Sequence, residues 1–430
     1  MELKNLKGTC DFMPQEQIVR REIIRKLEDI FSVYGYQPLE TPIICYYDIL
    51  ASKYAGGAEI LKEMYKFKDQ GQRDIGLRYD LTVPFSRVIG MNPDLKLPFK
   101  RYEIGKVFRN GPVKLGRMRE FIQCDVDIVG VKSAMAEVEL IEMARDIFKN
   151  LGLDIYVVYN NRKLLSGIIQ AAGVEEGIEN SVILSIDKLE KLGEEGVKQE
   201  LNEKGIRDEI IEKLFEYLNI GENELFGELM ESKKNNLIEK GIEELIELRT
   251  YIDTLGLKGI AKFSPWLARG LEIYTGTVFE IFLTDKSITS SLGGGGRYDN
   301  IIGAFIDNGK EYPAAGITFG LDVIYTALKI KNINKRVSAV DIYIIPIETQ
   351  IEAVKLLSRI RKYGISADID MDGRKLRKSL DYANKCGIPY VIILGEEEIN
   401  KGTVKIRDMQ KGIELETNMK DIESALDKLI

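Results

Sequence analysis

The feature that most constrains this chain is a pair of strand-like runs, FKRYEIGKVFR and REFIQCDVDIVG, joined by NGPVKLGRM. Parts of both runs alternate, and the connection carries Gly and Pro, so the pattern predicts an antiparallel hairpin with a long loop. Strand texture precedes it in IGLRYDLTV and returns, rich in glycine, from Trp266 to Gly320. Helical texture surrounds these runs. In residues 15–34, Ile18, Ile23, Ile24, Leu27, Ile30 and Phe31 fall near a 3.6-residue spacing and Gly35 provides a stop. Ala134 to Leu151 reads as a second strong helix, and Gln37 to Ile44 as a strand interrupted by Pro42, which suits an edge or an interface. From about Val174 to Leu257 Glu and Lys abound, helical periods recur, and no chemical constellation appears, which marks a helical insertion. Beyond the basic linker KIKNINKR, the runs VDIYIIPI, ISADIDM and PYVIILG alternate with helical ones, as in a small α/β domain. At 430 residues the chain exceeds one ordinary core. The expected divisions are 1–173 and 258–330 for two parts of one core, 174–257 for the insertion and 337–430 for the last domain.

Composition excludes much of the usual catalytic repertoire. The chain contains no histidine, so an imidazole base, a His-containing triad and a His-ligated metal are all ruled out. Its chemistry must run on carboxylates, cations, hydroxyls and amides, with Mg²⁺ as a possible helper. No run of eighteen apolar residues appears and MELKNLKGTCDFMP has no apolar core, so neither a membrane span nor a secretory signal is expected. Cys10, Cys45, Cys124 and Cys386 lie far apart, which favours reduced, buried thiols in a cytoplasmic protein over structural zinc or disulfides. The net charge of −7 argues against a nucleic-acid partner only if phosphate met the whole surface. Phosphate is met by local patches, and between Lys96 and Arg119 eight Lys or Arg face the single acid Glu103. A solvated basic face is the usual reading of such a run, but these charges sit on a strand-like segment and a Pro/Gly turn instead of a helix exterior, which weakens it.

Three segments carry chemistry. Arg109, the mobile basic loop and Arg119 would make a phosphate clamp, because planar guanidinium forks bind phosphate oxygens in pairs. In Gln123-Cys124-Asp125-Val126-Asp127, alternation places Gln123, Asp125 and Asp127 on one face of the sheet, either as the floor of a polar site or simply facing water. Asp80 and Thr82 in LRYDLT read as a similar polar strand face. The third segment is RGLEIYTG (269–276) followed by GGGGRYD (293–299). Four glycines in a row let backbone approach a ligand closely or bend a strand sharply, with a structural turn as the alternative. Neither a P-loop nor a dinucleotide fingerprint is present.

Taken in order, these segments resemble the histidyl-tRNA synthetase family along almost the whole chain. KGTCDFMP is similar to the family's opening, LETP to class II motif 1, and KRYEIGKVFRNGPVKLGRMREFIQCDVDIVG to motif 2. RGLEIYTGTVFE and SLGGGGRYD resemble the two segments peculiar to histidyl enzymes, and DMDGRKLRKSLDYANKCGIPYVIILGEEEINKGTVKIRD their anticodon-binding domain. The resemblance implies an α+β fold: a class II antiparallel sheet flanked by helices, with a helical insertion and a C-terminal α/β anticodon-binding domain. It implies ATP-dependent activation of histidine and its transfer to tRNA, with Mg²⁺, in a homodimer whose interface includes Pro42. It also implies roles. Arg109 and Arg269 would flank the α-phosphate, and Arg117 would reach the outer phosphates. Asp80, Thr82, Gln123, Asp127 and Tyr274 would hold histidine. Lys114, Arg119, Lys375, Arg377 and Lys378 would meet tRNA, and no resident metal is expected.

Two positions depart from the family pattern. Ile273 stands where an aromatic residue is usual. Asp322-Val323 replaces the Glu-Arg of motif 3, whose arginine stacks on adenine, and Val323 can do no such thing. These departures support a competing reading, a catalytically silent paralogue acting as the histidine-sensing regulatory subunit of ATP phosphoribosyltransferase. The arginines of motif 2 and the complete last domain oppose it. A synthetase-like ligase that activates another amino acid or acylates a carrier is the third reading.

Overall fold

A computed structural model describes the chain apart from residues 1, 53–57, 114–117, 176, 233–234, 269–272, 307–310, 334–337 and 430. Two compact units emerge: residues 1–10 with 23–333, and residues 11–22 with 334–430.

The first unit is built on eleven strands: β1 (Gln37–Pro38), β2 (Ile44–Tyr46), β3 (Lys66–Lys68), β4 (Asp74–Leu77), β5 (Phe99–Phe108), β6 (Glu120–Val129), β7 (Ile155–Asn161), β8 (Ala261–Phe263), β9 (Thr277–Leu283), β10 (Gly293–Arg297) and β11 (Ala314–Gly320). Eight form one sheet in the order β1-β5-β6-β11-β10-β9-β7-β8, while β2-β4-β3 make a small separate sheet. The large sheet is antiparallel except at its outermost pairs, β1 with β5 and β7 with β8. The expected hairpin is present as β5 and β6, paired from Phe99–Val129 to Phe108–Glu120.

Period-two alternation along β6 divides the sheet into two unlike faces. Cys124 and Val126 are buried on the face where Phe31 and Phe148 meet Phe319 and Phe31 meets Tyr102. Phe31 and Phe148 come from the helices Pro14–Val33 and Met135–Leu151, the two amphipathic segments legible in the sequence. Gln123, Asp125 and Asp127 take the opposite face and line a cavity. The glycines of β10 are a buried strand, not a turn. A Cβ on Gly295 would lie 1.9 Å from the Gly316 carbonyl oxygen, and one on Gly293 2.5 Å from that of Thr318. Only glycine lets β10 and β11 approach this closely.

Five helices, Glu179–Ile186, Leu189–Glu203, Asp208–Asn219, Glu222–Ser232 and Asn236–Thr254, occupy the segment read as an insertion. The last crosses the helix Arg162–Ala172 so closely that a Cβ on Gly241 would be 2.5 Å from the Leu164 amide nitrogen. In the second unit β12 (Ile342–Pro346), β13 (Ala367–Ile369), β14 (Tyr390–Leu394), β15 (Thr403–Asp408) and β16 (Glu414–Asn418) form a sheet ordered β13-β12-β14-β15-β16. Ile342 and Ile344 pack on the helix Gln350–Lys362, while Tyr343 and Ile345 pack with Ala383 on the other face.

Several expectations need correction. Gln37 to Ile44 is not one strand, because β1 and β2 join different sheets. Between them the Thr41 amide and hydroxyl donate to the buried Glu103 carboxylate instead of to a ladder. Asp80 and Thr82 do not share a strand face, because a helix begins at Thr82 and the Asp80 carboxylate accepts from the Val83 amide at 2.9 Å. The cysteines form no disulfide, but only Cys45 and Cys124 are buried; Cys10 is exposed. No helix among the described residues is long and apolar enough to cross a membrane.

Gly295→Ala drives a Cβ into backbone rather than into a yielding side chain, so repacking cannot absorb it. The substitution is expected to destabilise the first unit by about 3 kcal/mol or more, read by thermal unfolding.

Candidate active site

The register of the large sheet arranges charged residues in rows across four strands. One row runs Arg101 (β5), Asp127 (β6), Gly316 (β11), Gly296 (β10). The next runs Glu103, Asp125, Thr318, Gly294. On one side of the rows stand long charged side chains, and on the other stand glycines that leave room above the sheet. The result is a cavity of about 200 Å³. Its walls include Tyr79, Asp80, Thr82, Arg109, Ile273, Tyr274 and Tyr298, and its floor includes Gln123, Asp125, Asp127 and Thr318.

Arg109 closes the open end of the hairpin. Its amide donates to the Arg119 carbonyl at 2.9 Å, its Nε donates to the Tyr79 carbonyl at 3.2 Å, and its guanidinium lies over the Tyr79 and Phe121 rings. Lying over two rings, the cation is held in place, and among the described residues no carboxylate pairs with it to compete with a ligand anion.

Asp127 stands at the far end. Its Oδ2 pairs with Arg101 Nη2 at 2.6 Å and its Oδ1 accepts from the Tyr298 hydroxyl. Arg101 is 0% exposed and also lies over the Phe85 ring. Glu103 is bound in turn by Arg78 at 2.7 Å. The basic run is therefore no single surface patch: Arg101 faces inward, Lys100 pairs with Glu139 and Lys106 with Glu120.

Asp125 lies between these ends. It is 4% exposed, and its Oδ1 has no hydrogen-bond partner among the described residues; the same holds for Gln123 Oε1. Burial pushes the Asp125 carboxyl up to about 7, with the Asp127 and Asp80 charges adding to the rise, while Arg101 and a hydrogen bond from Thr318 hold it down.

The cavity brings together Asp80, Thr82, Arg109, Gln123, Asp127 and Tyr274, six residues picked from sequence. Arg269, Arg117 and Lys114 lie outside the described residues. Arg119 sits at the neck of the hairpin, where its amide donates to the Gly8 carbonyl at 2.7 Å, and it is not among the residues lining the cavity. Lys375, Arg377 and Lys378 belong to the second unit, exposed at the start of the helix Leu376–Lys385. Sequence reasoning passed over Arg101, Tyr298 and Thr318, and gave Asp125 no role of its own. A signal for them existed, since R-Y-E in one hairpin strand faces D-V-D in the other. Arg297, by contrast, points away from the cavity chemistry and grips Glu137 through two 2.7 Å bonds.

A family model described as histidyl-tRNA synthetase matches residues 8–324, and one described as anticodon binding domain matches 341–429. The chain belongs to the histidyl-tRNA synthetase family. A protein of Bacillus anthracis named histidine–tRNA ligase 1 is 49% identical over 427 residues, covering 99% of this chain and 100% of its own. The crystal structure of histidyl-tRNA synthetase from Nostoc sp. PCC 7120 superposes with a TM-score of 0.88 at 27% identity, covering all of both chains. A structure titled ATP phosphoribosyltransferase regulatory subunit/histidyl-tRNA synthetase, from Bacillus halodurans C, has a TM-score of 0.76 at 20% identity over 92% of this chain and 99% of its own, a likeness of fold alone. The class II α+β architecture thus agrees with the family.

Asp125 holds its proton more tightly in the folded chain than in the unfolded one. Its contribution to stability is complete below the ordinary carboxylate range and is lost as pH rises towards about 7. Melting temperatures of the ligand-free protein and of Asp125→Asn, compared from pH 4.5 to pH 8, should show the wild type losing ground across that window. A constant difference between the two would contradict the assignment.

Proposed function

We propose that the chain is a histidine–tRNA ligase. It activates histidine with ATP as histidyl-adenylate and transfers it to the 3′ end of tRNA. The observation that carries this reading is the cavity that joins an anchored guanidinium at Arg109 to a floor of acids and amides. An amino acid fits such a site with its carboxylate towards Arg109 and its donors over β6.

The chemistry requires no histidine side chain. An oxygen of the substrate carboxylate attacks the α-phosphorus of ATP, the bond to the bridging oxygen breaks, and pyrophosphate leaves. Negative charge gathers on the non-bridging oxygens, where preplaced cations stabilise it electrostatically. Arg109 supplies one of these cations, and Arg269 the other. Arg117 reaches the outer phosphates. In the second half-reaction the terminal ribose hydroxyl attacks the adenylate carbonyl, AMP departs, and its phosphate takes up the proton. Tyr274 walls the histidine pocket, and Asp80, Thr82, Gln123 and Asp127 surround the substrate.

Among the described residues no group of three or more Asp, Glu or Cys gathers as a metal cage. Mg²⁺ keeps its waters and binds phosphates with one or two carboxylates, so in this reading it enters as the counter-ion of ATP. Lys114 and Arg119 meet the acceptor end of tRNA, and Lys375, Arg377 and Lys378 its anticodon arm. Cations at a helix N-terminus oppose the helix dipole, and an arriving phosphate relieves that conflict. The chain acts in the cytoplasm as a homodimer, with exposed Ile43, Ile44 and Tyr46 beside Pro42 providing apolar surface for the contact. Residues 174–257 form a helical insertion between 1–173 and 258–330, and 337–430 the anticodon-binding domain. The regulatory-subunit reading is not favoured, because full-length relatives are named ligases.

ATP–pyrophosphate exchange scanned over all amino acids, followed by charging of total tRNA, tests the proposal. Exchange is expected with histidine only; exchange with another amino acid, or with none, overturns it. Arg109→Ala should lower exchange by about 100-fold or more while leaving the melting temperature near wild type. Because Val323 offers adenine no guanidinium, Val323→Arg should lower the KM for ATP, and an unchanged KM would show that the position does not face the nucleotide.

A further inference from the structure

The small sheet delivers an acid to the platform under Arg109. β3 and β4 pair antiparallel, with Lys66 opposite Gly76 and Phe67 opposite Ile75. Past that ladder the Leu77 amide donates to the Tyr65 carbonyl at 3.2 Å, and the same register continued puts Glu63 opposite Tyr79. The Tyr79 hydroxyl donates to Glu63 Oε2 at 3.1 Å. Glu63 ends the short helix Ala58–Glu63 and Tyr79 follows β4 by two residues, so only the pairing of the strands brings the two together.

Tyr79 in turn carries Arg109 in two ways. Its carbonyl accepts from Arg109 Nε at 3.2 Å, and the guanidinium lies 4.4 Å from the centre of its ring. Acid and cation thus meet one side chain at different places, the acid at the hydroxyl and the cation over the face. Burial pushes the Tyr79 phenol up to about 12, with Arg109 lowering it and the Glu63 charge raising it, so the hydroxyl keeps the proton it donates. A carboxylate on that hydroxyl fixes the ring and adds to the negative charge of its face, which favours a cation there. Glu63 also reaches the chain beyond Arg109. Its carbonyl accepts from the Asn110 amide at 2.7 Å, and a Cβ on Gly111 would lie 2.6 Å from Glu63 Oε1. One residue therefore braces both the platform of Arg109 and the residues that follow it.

We propose that Glu63 is a positioning residue for adenylate formation, acting through Tyr79 to hold the Arg109 guanidinium where negative charge gathers on the α-phosphate. This rests on the proposed function. Glu63 is not among the residues lining the cavity, so it acts without touching substrate. Its contribution is orientation, because a cation aimed before the substrate arrives needs no reorganisation during the reaction. The brace needs both partners. A phenylalanine at position 79 would keep the platform but release the acid, whereas a glutamine at position 63 would still offer the hydroxyl an acceptor.

ATP–pyrophosphate exchange with histidine is measured on the full-length wild type, Glu63→Ala, Glu63→Gln and Tyr79→Phe, and again with Glu63→Ala placed in Arg109→Ala. Glu63→Ala and Tyr79→Phe should each lower kcat roughly 10-fold, the worth of a hydrogen bond to a charged group, and combined should cost no more than about 2-fold beyond either alone. Glu63→Gln should stay within about 3-fold of wild type, because the acceptor is kept. In the Arg109→Ala background Glu63→Ala should cost less than about 2-fold, since no guanidinium is left to place. A merely structural Glu63 would cost as much there as in wild type. Equal losses in both backgrounds, or an undiminished kcat in Glu63→Ala, overturn the proposal while the function stands. If Glu63→Ala melts early, Tyr79→Phe decides, because it removes one hydroxyl and keeps the ring; a full kcat in that variant overturns the proposal. A wild type without histidine-dependent exchange overturns both.

Discussion

Everything in the first unit is arranged around the buried ion pairs of β5 and β6. Arg78, just after β4, pairs with Glu103 of β5, and Arg101 of β5 with Asp127 of β6, all almost without access to water. Removing one partner from such a pair costs about 3–5 kcal/mol, because the survivor stays buried and uncompensated. That is a large share of the roughly 5–15 kcal/mol that holds a typical domain together. Many neighbouring choices follow from it. Gly105 must be a glycine, since a Cβ there would lie 2.2 Å from an Arg78 nitrogen. Gly316 must be one because a Cβ would lie 2.0 Å from Asp127 Oδ1. Thr41 leaves the ladder to serve Glu103, and Phe85 gives its ring to Arg101.

These pairs are also what makes the cavity specific. They hold Asp127 and Glu103 in place, while Asp125, the remaining acid of the floor, feels the Arg101 charge and a hydrogen bond from Thr318 against the cost of its burial. Hydrogen-bonded neighbours fix its position, and burial makes it hold its proton above the ordinary carboxylate range. Rigid donors and acceptors with little solvent between them discriminate through the cost of leaving a group unpaired. The site thus draws its selectivity from the same burial that makes the sheet costly to assemble.

Much of this was legible in the sequence where the pattern was local. The helix Pro14–Val33 follows from apolar spacing, the hairpin from two alternating runs, and the second unit from strands alternating with helices. Residues misread were those whose fate is decided across strands. Arg101 looked like one of eight basic residues, and only its register opposite Asp127 sends it inward. Asp80 and Thr82 alternate as a strand would, yet Asp80 is followed by Pro84, which suits a first helical turn because its missing N–H is not needed there. Gln37 to Ile44 has strand composition, but the buried Glu103 has a stronger claim on the Thr41 amide than a sheet edge does. The glycines of β10 were read for close approach, and what they approach is both the cavity and the carbonyls of β11.

The two departures from the family pattern carry different physical consequences. Ile273 lines the cavity and packs with Phe85, Tyr298 and Ile302, so an apolar wall stands beside the polar floor. Such a wall offers the imidazole no hydroxyl, but it keeps water from the acids and strengthens every charge interaction nearby. Val323 follows Asp322, whose carboxylate accepts from the Ile122 amide and ties its helix to β6. The tether survives while the guanidinium that would grip adenine is gone. The cavity thus keeps its rigid polar floor, while Val323 brings only an aliphatic side chain to the helix that follows β11.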